Sequence, residues 1–244
     1  MSKKTKADQR AERAAALLRE EQARERRRNI LVVVAVVVVM VAIVGGGFLV
    51  NAARDSSKDI DAAPAGESEH GVVIGDTDAP HEIVIYEDFL CPYCGQLERA
   101  SSDELEQLAD DGKVSVDYRP FQLLSLDYSR NAANAFAVVL DAAGPAVAKK
   151  FHDLLYEEGS QPSEAGPFPD SDWFVDKAVE AGADETDVRE GIEGGAQDQW
   201  VTAATAAATA AGVNSTPVVL LDGKVFTEGR NMEEMAASLV AAVQ

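Results

Sequence analysis

Hydrophobic positions follow three patterns along the chain: one continuous apolar run, several short β-rich segments and long stretches with helical spacing. The continuous run covers residues 30–50, which are 21 positions without a charge. A helix of that length spans about 30 Å at 1.5 Å per residue, which is the thickness of a hydrocarbon core. Backbone groups in lipid must bond internally, and a helix achieves this locally. The pattern predicts a transmembrane helix over 30–50.

The flanks of this run predict its orientation. Residues 1–29 carry ten Lys and Arg against five Asp and Glu, so the segment has a net charge of +5. The positive-inside rule therefore predicts a cytoplasmic basic tail and places the chain from Asn51 onward outside the cell membrane. A cleaved signal peptide is the alternative, but its apolar region is normally about 7–15 residues long. The length favours an uncleaved, single-pass signal-anchor, followed by a flexible linker of small and polar residues over 51–69.

From residue 70 to 244 the pattern alternates between strand-like and helical segments. Strand signals occur at 71–75, 82–88, 114–120, 217–221 and 224–226, and Asp222-Gly223 predicts a tight hairpin turn between the last two. Helical signals cover 92–108, 131–143, 145–156, 172–181, 185–192, 196–211 and 232–243. This order predicts an α/β domain with a mixed sheet and a helical insertion at about 127–211.

Charge narrows the range of partners. The chain of 244 residues has a net charge of −20, and the part beyond the basic tail carries −25. Such a surface is repelled by nucleic acid and by anionic headgroups, so no nucleic-acid partner is expected. The bilayer is expected to contact the protein through residues 30–50.

The two cysteines of the chain, Cys91 and Cys94, lie where a predicted strand ends and a helix begins. Free N–H groups and the macrodipole at a helix N-terminus favour a thiolate, which lowers the pKa of Cys91 from about 8.5. Pro92 suits the first helical turn because it has no N–H to leave unpaired. Cys91 is therefore predicted to be the exposed reactive sulfur, and Cys94 its buried partner.

Other uses of the pair fit less well. Haem attachment requires His after the second cysteine, where Gly95 stands, and a structural zinc site needs four ligands. His70, His81 and His152 are scattered in the sequence and are expected to be surface or packing residues, so no metal is expected. A disulfide across two residues restrains the unfolded chain little. The redox-active disulfide itself is the only expected cofactor.

Two segments resemble the DsbA-like branch of the thioredoxin superfamily over residues 71–244. The first is Tyr86-Glu-Asp-Phe-Leu-Cys-Pro-Tyr-Cys94, preceded by Gly75-Asp-Thr-Asp-Ala-Pro80, and the second is Gly212-Val-Asn-Ser-Thr-Pro217. The resemblance implies a thioredoxin-like fold with an inserted helical subdomain. It also implies a cis Thr216-Pro217 bond beside the cysteines, with the backbone of Thr216 offered to an extended substrate.

The sequence departs from the family at two places. Many relatives have a buried acid six residues before the first cysteine, where this chain has Ile85; Glu87 and Asp88 come later and are candidates for proton transfer. Both acids could instead be solvated residues at the strand end. The dipeptide between the cysteines is Pro-Tyr rather than the Pro-His of the most oxidising relatives, so Tyr93 predicts a less acidic Cys91.

These observations lead to the hypothesis of a membrane-anchored, extracytoplasmic thiol–disulfide oxidoreductase. It would form disulfides in unfolded or reduced exported proteins, and the resemblance implies reoxidation by a quinone-linked membrane protein. One alternative is a thiol reductase that serves a dedicated partner. Another, from a different class, is a metal-binding or structural thioredoxin-like module.

Overall fold

The computed structural model describes residues 60–244. The predicted basic tail, the transmembrane helix at 30–50 and the linker as far as residue 59 lie outside the described residues. Within residues 60–244, every helix is too short or too polar to cross a bilayer.

A five-stranded mixed sheet forms the centre of the domain. Its strands are β1 (Val72–Ile74), β2 (His81–Glu87), β3 (Val114–Pro120), β4 (Val218–Leu221) and β5 (Lys224–Val225). The spatial order is β1-β3-β2-β4-β5, in which only the β2–β3 pair is parallel. The parallel pair needs a crossover connection, which the helix after the cysteines provides.

Seven helices flank the sheet in the described part of the chain. They are α1 (Pro92–Asp110), α2 (Asp127–Ala143), α3 (Pro145–Tyr156), α4 (Ser171–Ala181), α5 (Glu185–Gly194), α6 (Asp198–Ala210) and α7 (Met232–Ala242). Helix α1 packs against α7, while α2 packs against α3, α5 and α6. The predicted helical insertion is thus confirmed as α2–α6.

Alternation along β2 divides the core between the two faces of the sheet. Ile83 and Ile85 belong to the larger cluster, which includes side chains of α1, α2, α3 and α7. Val84 and Tyr86 belong to a smaller cluster with Ala204 and other side chains of α6. Because successive strand residues point to opposite faces, a strand covered on both sides has to be apolar throughout its centre.

The hairpin between β4 and β5 forms where the sequence predicts it. Asp222 and Gly223 have φ values of 50° and 72°, so both central residues are in the left-handed region. A two-residue turn of this type matches the twist of the flanking strands and favours the Asp-Gly pair.

Residues 60–69 are not a flexible linker, so that part of the linker prediction is wrong. The amide of Asp61 donates to the Ala211 carbonyl at 3.0 Å, and Arg119 Nη2 donates to the Pro64 carbonyl at 2.8 Å. The side chain of Ala65 is buried in the smaller cluster. Small, polar composition does not reveal these contacts, because they depend on acceptors and donors distant in the sequence.

Candidate redox site

The cysteine pair lies at the junction of β2 and α1. Cys91 is the N-cap of α1 in an extended conformation, and Pro92 occupies the first helical turn. Residue exposure is 6% for Cys91 and 0% for Cys94, and both are free thiols in this structure. Cys94 is buried as predicted, whereas the prediction that Cys91 is exposed is wrong. The segment around Thr216 contacts its sulfur.

The Thr216-Pro217 segment contacts the reactive thiol. The Thr216-Pro217 bond is cis, as the resemblance implied. The Sγ atom of Cys91 donates to the Thr216 carbonyl at 3.4 Å. Residues separated by 125 positions therefore meet, and the sulfur of Cys91 lies next to the backbone of Thr216.

The two thiols have opposite pKa shifts. A hydrogen bond from Cys94 is the main reason that the pKa of Cys91 falls to about 6, with smaller effects from the Thr216 side chain and from the backbone N–H groups of Tyr93 and Cys94. Burial raises the pKa of Cys94 well above its usual range. Near neutral pH the reduced pair therefore holds a thiolate at Cys91 and a thiol at Cys94.

Tyr93, between the cysteines, is 58% exposed. It is one of the few large apolar side chains on the surface of the described residues, and it lies on the first turn of α1 beside Cys91. An aromatic ring in this position is available to contact a substrate chain.

Asp88 is buried and organises the loops around the site. Its carboxylate accepts hydrogen bonds from the amides of Leu90, Leu123 and Leu124 at 2.8–2.9 Å and from the Ser129 hydroxyl at 2.7 Å. Burial nevertheless raises its pKa. The alternative that Asp88 is a solvated strand-end residue is wrong.

Glu87 is also fully buried, so the solvated alternative is wrong for this residue too. Its Oε1 contacts Nε2 of His152 on α3. His152 is thus buried and paired with Glu87, a pairing that its position in the sequence did not indicate. Burial lowers the pKa of His152, but the charge of Glu87 and the hydrogen bond to Asp153 outweigh that effect and raise it to about 10.

Glu98 completes this interior polar group. It is 2% exposed, and neither carboxylate oxygen has a hydrogen-bond partner among the described residues. Burial and the nearby charge of Glu87 raise its pKa to about 8. The sequence held a signal for Glu98, because it follows Cys94 by four residues and so lies on the same face of α1. The sequence gives no comparable indication that His152 belongs to this group, because 65 positions separate it from Glu87.

Gln161 is a second residue that sequence reasoning missed. It lies in the loop after α3, and its Nε2 donates to the carbonyls of Phe89 and Cys91, both at 2.9 Å. A Cβ on Gly95 would lie 2.3 Å from Gln161 Oε1 and 2.7 Å from Arg99 Nη1. Gly95 therefore leaves room for a side chain of the helical insertion to hold the loop that carries Cys91.

The structure thus brings together Cys91, Cys94, Thr216 and Pro217, and it places Glu87 and Asp88 on the strand end directly before the cysteine loop. A role for these two acids in proton transfer stays a prediction.

Comparison with known proteins shows similarity over most of the described domain. The sequence model of the thioredoxin family, Thioredoxin_4, matches residues 67–241. The reduced disulfide oxidoreductase DsbG of Mycobacterium tuberculosis is 30% identical, with a TM-score of 0.63 over 77% of this chain and 90% of that one. Oxidised DsbA of the same organism is 30% identical, with a TM-score of 0.60 over 71% of this chain and 90% of that one.

A curated relative shares only a segment. The serine/threonine-protein kinase PknE of Mycobacterium tuberculosis is 28% identical over 99 residues, which are 38% of this chain and 18% of the kinase. The chain spans less than a fifth of the length of that relative.

Proposed function

Since the chain belongs to the thioredoxin family and is a DsbA-like thiol–disulfide oxidoreductase, we propose that its Cys91–Cys94 pair forms disulfides in exported proteins. The observation that carries this proposal is the lowered pKa of Cys91, to about 6, in contact with the Thr216 carbonyl. A stabilised thiolate favours the reduced enzyme, which makes the disulfide form an oxidant.

The reaction proceeds through a mixed disulfide. A substrate thiolate attacks Sγ of Cys91 in the oxidised pair, which breaks the Cys91–Cys94 bond and leaves its electron pair on Cys94. Because the pKa of Cys94 is raised by burial, that sulfur takes up a proton. A second substrate thiolate then attacks the substrate sulfur of the mixed disulfide and releases Cys91 as a thiolate. The substrate loses two electrons and the enzyme disulfide gains them.

The leaving-group order follows from the two pKa shifts. A thiol with a low pKa leaves faster in disulfide exchange. Cys91 leaves in the step that releases the product, so its low pKa favours completion of substrate oxidation. No electron carrier beyond the cysteine pair is required within the chain.

Substrate binding is proposed to use the backbone beside Pro217. An extended substrate segment can pair with main-chain groups of Thr216, in the way a strand is added to a sheet edge. Main-chain pairing does not select for sequence, which suits unfolded clients. The exposed ring of Tyr93 supplies an apolar contact next to the sulfur of Cys91, which the substrate attacks.

The cellular setting is proposed from the sequence. The basic tail at 1–29 and the apolar run at 30–50 favour an anchor that holds residues 51–244 on the outer side of the cell membrane. Reoxidation by a quinone-linked membrane protein follows from the resemblance to the DsbA-like branch.

The test is oxidative folding with the full chain in detergent. Reduced, denatured secreted protein is mixed with the oxidised chain, and free thiols of the client are counted with time. We expect client thiols to disappear faster than in the uncatalysed control, and expect Cys91→Ser to abolish the gain. A chain that forms no client disulfides, yet reduces an oxidised client when supplied as the dithiol, would identify a reductase instead.

A further inference from the structure

Three side chains converge in the core beneath the cysteine pair from three different elements. Glu87 ends β2, Glu98 lies on α1, and His152 lies on α3, and all three are buried. One carboxylate oxygen of each glutamate and one ring nitrogen of the histidine lie within 4.8 Å of one another. Residues so far apart in the sequence meet here only because the sheet and both helices pack together.

The cluster has buried acceptors without partners. Both carboxylate oxygens of Glu98, and Oε2 of Glu87, lack a hydrogen bond to any group in residues 60–244. An unsatisfied buried polar atom costs about 1–3 kcal/mol, and more when it is charged. Three buried carboxylate oxygens from two glutamates are thus left as acceptors around one interior point.

His152 is held in the orientation typical of a metal ligand. Its Nδ1 is 2.9 Å from Asp153 Oδ1, which leaves Nε2 to point at Glu87. Asp153 is itself fixed by Lys149, whose Nζ lies 2.7 and 2.8 Å from its two carboxylate oxygens. A carboxylate on the far nitrogen of a ligating histidine is the usual outer-shell arrangement at metal sites.

We propose that Glu87, Glu98 and His152 form a binding site for one divalent transition-metal ion of the zinc class. Zn²⁺ binds nitrogen and oxygen ligands at about 2.0–2.2 Å, so ligand atoms lie about 3–4 Å apart. The three ligand atoms lie within 4.8 Å of one another, so side-chain adjustment, including separation of the His152 and Glu87 atoms now in contact, brings them to these distances. Because metal ligands give up their protons on binding, two carboxylates and an imidazole deprotonated to its neutral form would balance the charge of a divalent ion.

An acidic cleft adjoins the site. Glu98 lines a cleft of about 700 Å³ between α1 and α3, together with Asp103, Glu106 and Glu157. Clefts lined by one sign of charge concentrate counter-ions. Arg99 and Lys150 also line the cleft, but its acidic groups are more numerous.

The site does not include the cysteine sulfurs, so it is distinct from soft-ligand binding by the redox pair. The test therefore uses the full chain in detergent, without an affinity tag, in its disulfide form and freed of metal with a chelator. Zn²⁺ is added in steps while binding is followed by calorimetry and by NMR of the histidine rings. We expect saturation at one ion per chain, with ring shifts at His152, while His70 and His81 serve as internal controls.

Glu98→Gln keeps the size of the side chain and removes its charge. We expect this variant to bind Zn²⁺ at least tenfold more weakly, as loss of even an outer-shell partner costs about 10–100-fold in metal affinity. Asp103→Asn, on the exposed wall of the same cleft, should bind like the parent chain.

Either of two results would overturn the proposal: no saturable binding by the parent chain, or equal binding by the parent and Glu98→Gln. Binding that shifts His70 or His81 rather than His152 would also contradict it. The parent titration decides the matter even where Glu98→Gln fails to fold. Because the chain is tested as the disulfide, its outcome is independent of catalytic activity.

Discussion

At the scale of single residues, the site depends on an asymmetry between two thiols three positions apart in the chain. Cys91 is at a helix N-terminus and receives a hydrogen bond from Cys94, whereas Cys94 is fully buried. The same short segment therefore contains a stabilised thiolate at Cys91 and, at Cys94, a thiol that stays protonated. Disulfide exchange needs this difference, because it decides which sulfur leaves readily.

Replacing Cys94 tests the origin of this asymmetry. In Cys94→Ala the main cause of the low pKa is removed, so we expect the pKa of Cys91 to rise from about 6 toward its ordinary value of about 8.5. The pH dependence of Cys91 alkylation, or of ultraviolet thiolate absorbance, measures it.

Cys94→Ser is the matched control, since its hydroxyl can still donate to Cys91. It should retain part of the shift. A pKa that stays near 6 in Cys94→Ala would show that the helix terminus and Thr216 are sufficient without the second thiol.

At the scale of elements, the helical insertion both covers the site and holds its loop. Gln161 follows α3 and donates to two carbonyls of the segment that carries Cys91. Asp88 ties that same segment to the connection between β3 and α2 through the amides of Leu123 and Leu124. The position of Cys91 thus depends on groups from outside the β2–α1 junction, one a side chain and two of them backbone amides.

Removal of the Gln161 side chain should destabilise the domain. Gln161→Ala leaves two carbonyls without this donor, so we expect the free energy of unfolding to fall by about 1–3 kcal/mol. Denaturant unfolding of the oxidised chain measures the change.

The control for this substitution is Gln107→Ala on the exposed face of α1. It should alter the free energy of unfolding by less than about 0.5 kcal/mol, as is usual for surface positions. Equal effects of the two substitutions would contradict the role assigned to Gln161.

At the scale of the whole molecule, the redox state and the stability of the fold are linked. The pKa of Cys91 is about 6 in the folded, reduced protein and about 8.5 in an unfolded chain. Between these values the unfolded state binds more protons than the folded state, so the stability of the reduced form rises with pH. The oxidised form has no thiol to titrate and lacks this contribution.

This linkage predicts that the difference in stability between the reduced and the oxidised form depends on pH. From pH 6 to about pH 8.5 the midpoint of unfolding of the reduced chain should rise relative to that of the oxidised chain. Above that range the gain should cease, and the raised pKa of Cys94 should reverse it, because an unfolded chain ionises that thiol more readily.

Thermal unfolding of both forms across this range measures the gap, and reduced Cys91→Ser is the control that should show no rise. A gap independent of pH would mean that the thiolate of Cys91 is not stabilised by folding.

Local signals in the sequence were enough to predict most elements and the cysteine pair. A few neighbouring residues encode each of three such features: the β-rich run of β2, the Asp-Gly turn at 222–223 and the Pro92 start of α1. These features can be predicted without knowledge of the fold, because the backbone geometry at these positions depends on nearby residues.

The tertiary structure alone decided what surrounds the sulfurs. Each of these contacts joins distant parts of the chain. They are the hydrogen bonds of Gln161, the contact of Cys91 with the Thr216 carbonyl, the packing of residues 60–69, and the cluster of Glu87, Glu98 and His152. The sequence shows which residues are ionisable, but it does not show whether two of them are buried and paired or separately exposed to solvent. Their burial and pairing arise only when the sheet and helices pack and exclude water from between them.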